Sequence, residues 1–292
     1  MTEGMAPADL RLHIGAHKTA TTHLQDILAA NRTYLLDRDI LYLPRMRVRQ
    51  IRLIQAINDN YWNTKNATTQ IASLETLIRP KTRYTKRIIV SEENILGGCI
   101  DLIDCLYPTA NNQLLPWSAI TDQDNTTIYL SIRDYTSILP SAFSQALRDG
   151  SKALPFEVYL QKWLHKKPSW HALVTKIKTL FPLTKIVVWT FEKYIQDNAE
   201  IVNRLSGINL PKVDVRIPKS TQSLTKDAVA RIQGIDPDLD LPARMKLIRE
   251  IMEKYESIDI FDPLSLAEKK ELHDNYVADI EIVKKMDIEY LG

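Results

Sequence analysis

The chain has 292 residues, of which 45% are hydrophobic and 25% are charged, and its net charge is +2. This composition is typical of an ordinary soluble globular protein. A net charge so close to zero argues against a surface that binds nucleic acid as a whole, so recognition of an anion has to be local.

Targeting and redox signals are weak. The two cysteines, Cys99 and Cys105, have no partner motif, so a disulfide or metal site is not expected and a reducing compartment suits them. The first nine residues lack a basic segment followed by an apolar core, and no apolar run reaches about 18 residues. We therefore expect no signal peptide, no transmembrane segment and a cytoplasmic location.

Apolar, β-branched runs predict five strands along the chain. They cover residues 10–14, 40–43, 86–91, 126–132 and 185–191. Between them, residues 45–52 read as a basic loop and residues 101–124 as short helices and loop.

Helical periodicity predicts the intervening elements. The first helix should bury Leu24, Ile27, Leu28 and Leu35. Further helices are predicted at 50–60, 67–79, 137–147, 156–166, 169–181 and 195–205. The last helix should bury a stripe that runs from Leu272 to Met286.

Alternation of strands and helices indicates an α/β fold with three layers, in which a mostly parallel central sheet is flanked by helices. We expect a single domain over residues 1–292. Within it, residues 10–205 would form a nucleotide-binding core and residues 206–292 a mostly helical C-terminal extension.

The first strand runs into a segment that has the layout of a phosphate cradle. The strand turns at Gly15, Lys18 follows three residues later, and a helix begins near three threonines, Thr19, Thr21 and Thr22. Backbone N–H groups at a helix N-terminus, a lysine and hydroxyls all favour a bound anion. The spacing is not that of a Walker A loop, because His17 stands where that loop has a glycine.

Two more polar segments follow predicted strands, residues 91–94 and 133–141. In open parallel sheets, ligands bind beyond the carboxyl ends of the strands. We therefore expect these segments and the loop at 15–22 to share one site.

Two of these segments together resemble the sulfotransferase family, which is P-loop-like and uses 3′-phosphoadenosine-5′-phosphosulfate. The loop Lys18-Thr19-Ala20-Thr21-Thr22 is similar to the family's first signature. Arg133 at a strand end, with Ser141 eight residues later, is similar to the second. The resemblance covers roughly residues 10–195.

The resemblance implies a role for each matching residue. Lys18 would neutralise the bridging oxygen as the 5′-phosphate leaves, within a binding loop that runs from Gly15 through His17 and Ala20. The three threonines would hold the 5′-phosphate, and Arg133 and Ser141 the 3′-phosphate. Adenosine 3′,5′-bisphosphate would be the product, and no metal is required.

The sequence departs from the family at two places. Ala20 replaces the usual loop glycine, which raises the question of whether this position needs a positive φ. The segment after Pro44 lacks the histidine that many relatives carry as a base. Glu93 is the candidate base in its place, with His17 and His23 as alternatives. Glu93 is equally well read as a helix cap or the partner of an arginine.

Two basic segments stay open to two interpretations. The arginines that follow the second strand either bind an anionic acceptor or form a solvated face: Arg45, Arg47, Arg49 and Arg52. Residues 219–221 either close over the nucleotide or cap the next helix.

The sequence thus predicts a sulfotransferase that modifies a hydroxyl or, as the second choice, an amine. By family analogy alone, the acceptor is a carbohydrate or glycolipid. One alternative is an ATP-using P-loop kinase, for which Glu92 or Glu93 would bind Mg²⁺. The other is a catalytically silent nucleotide-binding module. The oligomeric state has no sequence signal.

Overall fold

A computed structural model of the protein describes residues 8–49, 85–121, 123–215, 223–255 and 259–292. Its strands are β1 (Asp9–His13), β2 (Ile40–Leu43), β3 (Arg87–Ser91), β4 (Thr126–Ile132), β5 (Lys185–Thr190) and β6 (Glu289–Leu291). They form one six-stranded sheet in the order β2-β3-β1-β4-β5-β6. Every neighbouring pair is parallel.

Helices cover both faces of the sheet, so most central strands are apolar on both faces; β1 is the exception, with Arg11 and His13 on one of them. In β3, Ile88, Ile89 and Val90 are all fully buried. Leu12 of β1 pairs with Val90 on one side and with Ile128 on the other. Such continuous apolar runs are what a parallel sheet requires.

The helices connect and cover these strands. They are α1 (Thr21–Ala30), α2 (Arg32–Leu36), α3 (Arg45–Arg49), α4 (Cys99–Ile103), α5 (Ala110–Ile120), α6 (Tyr135–Arg148), α7 (Phe156–Lys166), α8 (Trp170–Leu180), α9 (Phe191–Gln196), α10 (Asn198–Ser206), α11 (Lys226–Gln233), α12 (Leu241–Lys254) and α13 (Leu266–Val283). Single 3₁₀ turns lie at Glu93–Ile95 and Gln123–Asn125.

Two apolar clusters lie on opposite faces of the sheet. The larger joins alternate residues of β1, β3 and β4 to α4–α8 and α11–α13. The smaller joins residues of β2, β3, β4 and β5 to α1, α2, α9 and α10. The protein therefore has the three-layer α/β fold that the sequence predicts, with a helical C-terminal part.

Two predicted helices are each broken in two, and the single-helix predictions were wrong. Asn31 separates α1 from α2, because its amide donates to the carbonyl oxygens of both Ile27 and Lys212 and leaves the helical path. Leu35 consequently lies in α2. Asp197 interrupts the helix predicted at 195–205, since its carboxylate accepts the backbone N–H of Glu200 and caps α10.

Other local differences follow from tertiary contacts. The segment after Pro44 is the helix α3 and not a loop, with Val48 fully buried. Strand β6 was not predicted; its three residues are only partly buried and pair with β5 at the sheet edge.

Some predictions have no structural counterpart to compare. The helices predicted at 50–60 and 67–79, Arg52 and the basic segment 219–221 lie outside the described residues. Among the helices that are described, none combines the length and the apolar character needed to cross a membrane.

Candidate functional site

A cavity of about 860 Å³ lies at the carboxyl edge of the sheet. Its walls come from the turn after β1, the end of β3, the residue after β4, and helix α6. Eight of the residues predicted for the site line it: His17, Lys18, Ala20, Thr21, Thr22, Glu93, Arg133 and Ser141. The structure thus brings the three polar segments together, as expected for strands that end at one edge.

The loop after β1 presents backbone donors to this cavity. Within the described part of the chain, the N–H groups of residues 19–23 donate to no backbone or side-chain acceptor, whereas the N–H of Leu24 begins the helical pattern. The loop reaches this arrangement through left-handed backbone at Lys18 (φ 62°) and Ala20 (φ 66°). Ala20 therefore does adopt a positive φ, at a cost of about 1–2 kcal/mol for alanine.

Lys18 extends from this loop into the cavity. Its ammonium donates to Gln145 Oε1 of α6 at 3.2 Å. Burial removes water from around the ammonium and so lowers the pKa of Lys18. A bound anion would favour the charged form again.

Two of the loop threonines face their own backbone. The hydroxyl of Thr19 donates to the Ala16 carbonyl at 2.6 Å, and the hydroxyl of Thr21 reaches the same oxygen at 3.2 Å. Thr19 is buried and does not line the cavity. A phosphate contact from the Thr19 side chain therefore does not fit this geometry. Thr21 and Thr22 do line the cavity.

His17 holds the loop in place. Its Nδ1 lies 2.8 Å from the Tyr107 hydroxyl, which also accepts the His17 backbone N–H at 3.0 Å. Its Nε2 lies 3.1 Å from Asn94 Oδ1. Burial lowers the pKa of His17 to about 4, so the ring is neutral near pH 7. With both nitrogens engaged, His17 is a positioning residue and not a candidate base.

His23, the other alternative base, is engaged in the same way. Its Nδ1 lies 2.8 Å from the Tyr194 hydroxyl, and its Nε2 lies 2.6 Å from the Val215 carbonyl. It therefore joins α1 to α9 and to the segment that follows α10.

The adjacent carboxylates Glu92 and Glu93 have different surroundings. Glu92 is fully buried, binds Arg49 through both oxygens at 2.7 and 2.9 Å, and accepts two hydrogen bonds from Asn94. Glu93 lines the cavity, and its contacts with described residues are long, at 3.4 Å to Arg49 and 3.5 Å to Gln25. Of the two, Glu93 is the carboxylate available to a ligand.

Gly15 brings Glu93 close to the loop. At φ 100°, a Cβ on Gly15 would lie 3.0 Å from the Glu93 Cβ and 3.2 Å from its Cα. Only glycine combines this backbone conformation with this approach. Gly15 itself does not line the cavity, so its role is to shape the site.

Arg133 closes the other side of the loop. Its Nη1 donates to the Lys18 carbonyl at 2.7 Å and its Nε to the Ser137 hydroxyl at 2.8 Å, while its guanidinium lies 4.2 Å from the centre of the Phe191 ring. Burial lowers its pKa. Within the described residues, no carboxylate lies within salt-bridge distance of the Arg133 guanidinium.

Beside the predicted Ser141, helix α6 and its C-cap contribute two functional candidates that the sequence motifs missed, Gln145 and Asp149. Ser141, Gln145 and Asp149 are spaced four apart and all line the cavity. Gln145 accepts from Lys18 and donates to Asp149 Oδ1 at 2.9 Å. The i, i+4 spacing of polar residues was the available signal for this face.

The arginines of α3 have separate roles. Arg49 is committed to Glu92 and Glu93, whereas Arg47 is exposed and does not line the cavity. Arg45 lines the cavity and contacts Gln25. The described residues include no group of three or more His, Cys, Asp or Glu side chains placed to hold a metal ion.

Comparison with known proteins gave one structural likeness. No family model matches the chain, and no curated protein matches it. A solved structure described as a sulfotransferase from Alicyclobacillus acidocaldarius is similar over 84% of this chain and 96% of that one, with 16% sequence identity and a TM-score of 0.45. A likeness of this degree assigns no activity, which has to be argued from the site.

Proposed function

We propose that the protein is a sulfotransferase that transfers a sulfuryl group from 3′-phosphoadenosine-5′-phosphosulfate to a hydroxyl of an acceptor, in particular a carbohydrate or glycolipid. One observation carries the proposal. A single cavity combines a helix N-terminus and Lys18 with a second cation, Arg133, and the hydroxyl of Ser141. Two anion-binding positions in one cavity suit a nucleotide that bears a phosphate at each of two places.

The charge of the cavity supports a polyanionic ligand. Four lining side chains in the described chain are cationic and two are carboxylates: Lys18, Arg45, Arg49 and Arg133, against Glu93 and Asp149. Glu92, behind this wall, offsets Arg49. The remaining positive potential would attract the donor and its product.

In the proposed reaction, the acceptor hydroxyl gives its proton to Glu93 as its oxygen bonds to sulfur. The bond between sulfur and the bridging oxygen of the 5′-phosphate breaks in line, and its electron pair stays on that oxygen. Lys18 and the N–H groups of the loop would stabilise this developing charge. As in phosphoryl transfer, positioning and charge stabilisation do most of the catalysis.

The kinase alternative would depend on Glu93 without its neighbour Glu92. Both Glu92 oxygens are taken by Arg49 and Asn94, which leaves Glu93 as the single carboxylate of that pair able to meet a cation. A magnesium ion usually takes one or two carboxylates together with phosphate oxygens and water.

Calorimetric binding of adenosine 3′,5′-bisphosphate, beside ATP with Mg²⁺, tests the donor assignment. We expect the bisphosphate to bind tightly and ATP weakly. Lys18→Ala should remove most bisphosphate binding and all sulfuryl transfer, while Lys246→Ala, at an exposed position of α12, should change neither. Tight binding of ATP alone would favour the kinase, and binding of neither nucleotide would refute both.

The role of Glu93 is tested separately. Glu93→Gln should keep affinity for the bisphosphate and lose turnover, because the amide cannot accept the proton. Unchanged near-zero turnover in both forms, with normal binding, would instead support the silent nucleotide-binding module.

A further inference from the structure

Arg45 is a cation of the cavity that the proposed donor contacts do not use. It begins α3 directly after β2 and lines the cavity beside Glu93. Its guanidinium has a 3.5 Å contact with Gln25 Oε1 and, among the described residues, no carboxylate within salt-bridge distance. Its neighbour Arg49 differs, because two carboxylates engage it.

Gln25 lies between Arg45 and the proposed base, Glu93. The Gln25 amide nitrogen donates to the Ser91 carbonyl at 2.9 Å and lies 3.5 Å from Glu93 Oε2, while its oxygen faces Arg45. The two heteroatoms of an amide are about 2.2 Å apart, so the Arg45 nitrogen and the Glu93 oxygen are separated by roughly 9 Å at most. Gln25 is buried and its bond to Ser91 holds the amide in place, whereas its contacts with Arg45 and Glu93 are both long.

We propose that Arg45 binds an acidic group of the acceptor and that the acceptor is a sugar bearing a carboxylate. This assignment rests on the proposed function, which makes Glu93 the base that meets the acceptor hydroxyl. A sugar residue whose hydroxyl lies on Glu93 can reach Arg45 with an exocyclic carboxylate. The planar guanidinium matches a carboxylate in a two-point hydrogen-bonded pair, which a neutral sugar cannot form.

The chemistry of the site makes this contact selective. An acidic acceptor approaches Glu93, and the repulsion between two carboxylates has to be offset by a cation on the acceptor's side. Arg45 supplies that charge, since Lys18 and Arg133 would be occupied by the donor. A neutral acceptor would gain nothing from Arg45. It would also leave the charge of Arg45 without a counterion among the described residues of the cavity.

The test compares 4-nitrophenyl β-D-glucuronide with 4-nitrophenyl β-D-glucoside, two probes that differ in a carboxylate. Binding is measured by ligand-detected NMR on the full chain with saturating adenosine 3′,5′-bisphosphate. We expect the glucuronide to bind about tenfold or more tightly than the glucoside, because charge-assisted pairs are the strong ones. In Arg45→Gln this preference should disappear, and in Arg45→Lys part of it should remain.

Arg47→Gln is the matched control, because Arg47 lies on the same helix, is exposed and does not line the cavity. It should keep the full preference for the glucuronide. Equal binding of the two probes by the unaltered protein, or a preference that survives Arg45→Gln, would overturn the proposal. An equal loss in Arg47→Gln would also overturn it, since the effect would then be one of general surface charge.

The same titration without nucleotide separates this proposal from the proposed function. If the bisphosphate does not bind but the glucuronide preference still depends on Arg45, the acidic subsite stands and the donor assignment fails. If the bisphosphate binds and the preference is absent, the donor assignment stands and the acidic acceptor fails.

Discussion

Replacement of Arg133 by alanine tests whether one side chain distinguishes a nucleotide with a 3′-phosphate from one without it. Arg133 is largely buried, stacks on Phe191 and directs one guanidinium nitrogen at the Lys18 carbonyl. Arg133 and Ser141 both line the cavity. Adenosine 3′,5′-bisphosphate and adenosine 5′-monophosphate differ in the single group that Arg133 is proposed to bind.

The structure sets the expected sizes of the two losses. Hydrogen bonds to a charged group contribute about 1.5–3 kcal/mol, so loss of the 3′-phosphate contact should weaken bisphosphate binding by about 3 kcal/mol, or more than about 100-fold. The substitution also removes the 2.7 Å bond from Arg133 to the Lys18 carbonyl, which supports the loop that both nucleotides would contact. That bond has a charged donor, so it is worth about 1.5–3 kcal/mol to the loop. Because it is present in the free and the bound protein alike, only about 1 kcal/mol of it should appear as weaker binding, or about fivefold for the monophosphate.

Isothermal titration of both nucleotides to Arg133→Ala and to Ser137→Ala measures these losses. Ser137→Ala removes the acceptor of the Arg133 Nε but keeps the charge. It should therefore weaken both nucleotides by less than about fivefold. Equal losses for the two nucleotides in Arg133→Ala would refute the reasoning, because Arg133 would then support the loop without reading the 3′-phosphate.

Three further predictions concern the loop and its pH dependence. Gly15→Ala should destabilise the fold by about 2–4 kcal/mol in urea unfolding, through left-handed strain and a clash with Glu93, and a loss below 1 kcal/mol would contradict the close approach. Ala20→Gly should raise the unfolding temperature by about 1–2 °C, since relief of strain exceeds the added entropy of the unfolded chain; a lower value would show that the left-handed backbone carries no strain. Burial lowers the pKa of His13 to about 3 and of His17 to about 4. Below about pH 6.5 the unfolded chain therefore binds more protons than the folded one, and stability decreases as the pH is lowered. Each histidine should cost about 2 kcal/mol by pH 5, and His17→Asn should remove its share of the slope in urea titrations at pH 7 and 5.

Much of the architecture follows from local sequence. Most of the longer strands are continuous apolar segments, and such segments have to be buried on both faces by helices. The order of strands and helices then implies a parallel sheet whose carboxyl edge gathers the loops. This is why Lys18, Glu93 and Arg133, far apart in the chain, could be expected in one site.

Local sequence could not decide features that depend on partners distant in the chain. Whether Asn31 ends a helix depends on the Lys212 carbonyl, and β6 exists because the edge of β5 is open to pairing. A short strand with partly exposed side chains has too weak a pattern to be recognised alone.

The division of roles within the site was likewise decided by tertiary structure. Glu92 and Glu93 are adjacent carboxylates with the same intrinsic chemistry, and only the approach of Arg49 from α3 buries the charge of one and leaves the other facing the cavity. His17 is an ordinary candidate base in the sequence, until Tyr107 and Asn94 engage both of its nitrogens. The sequence by itself determined which residue types reach the carboxyl edge of the sheet, because the alternation of strands and helices along the chain and the residues that follow each strand are local. Which of them remain available to a ligand was decided by the tertiary structure, because burial and hydrogen-bond partners come from other parts of the chain.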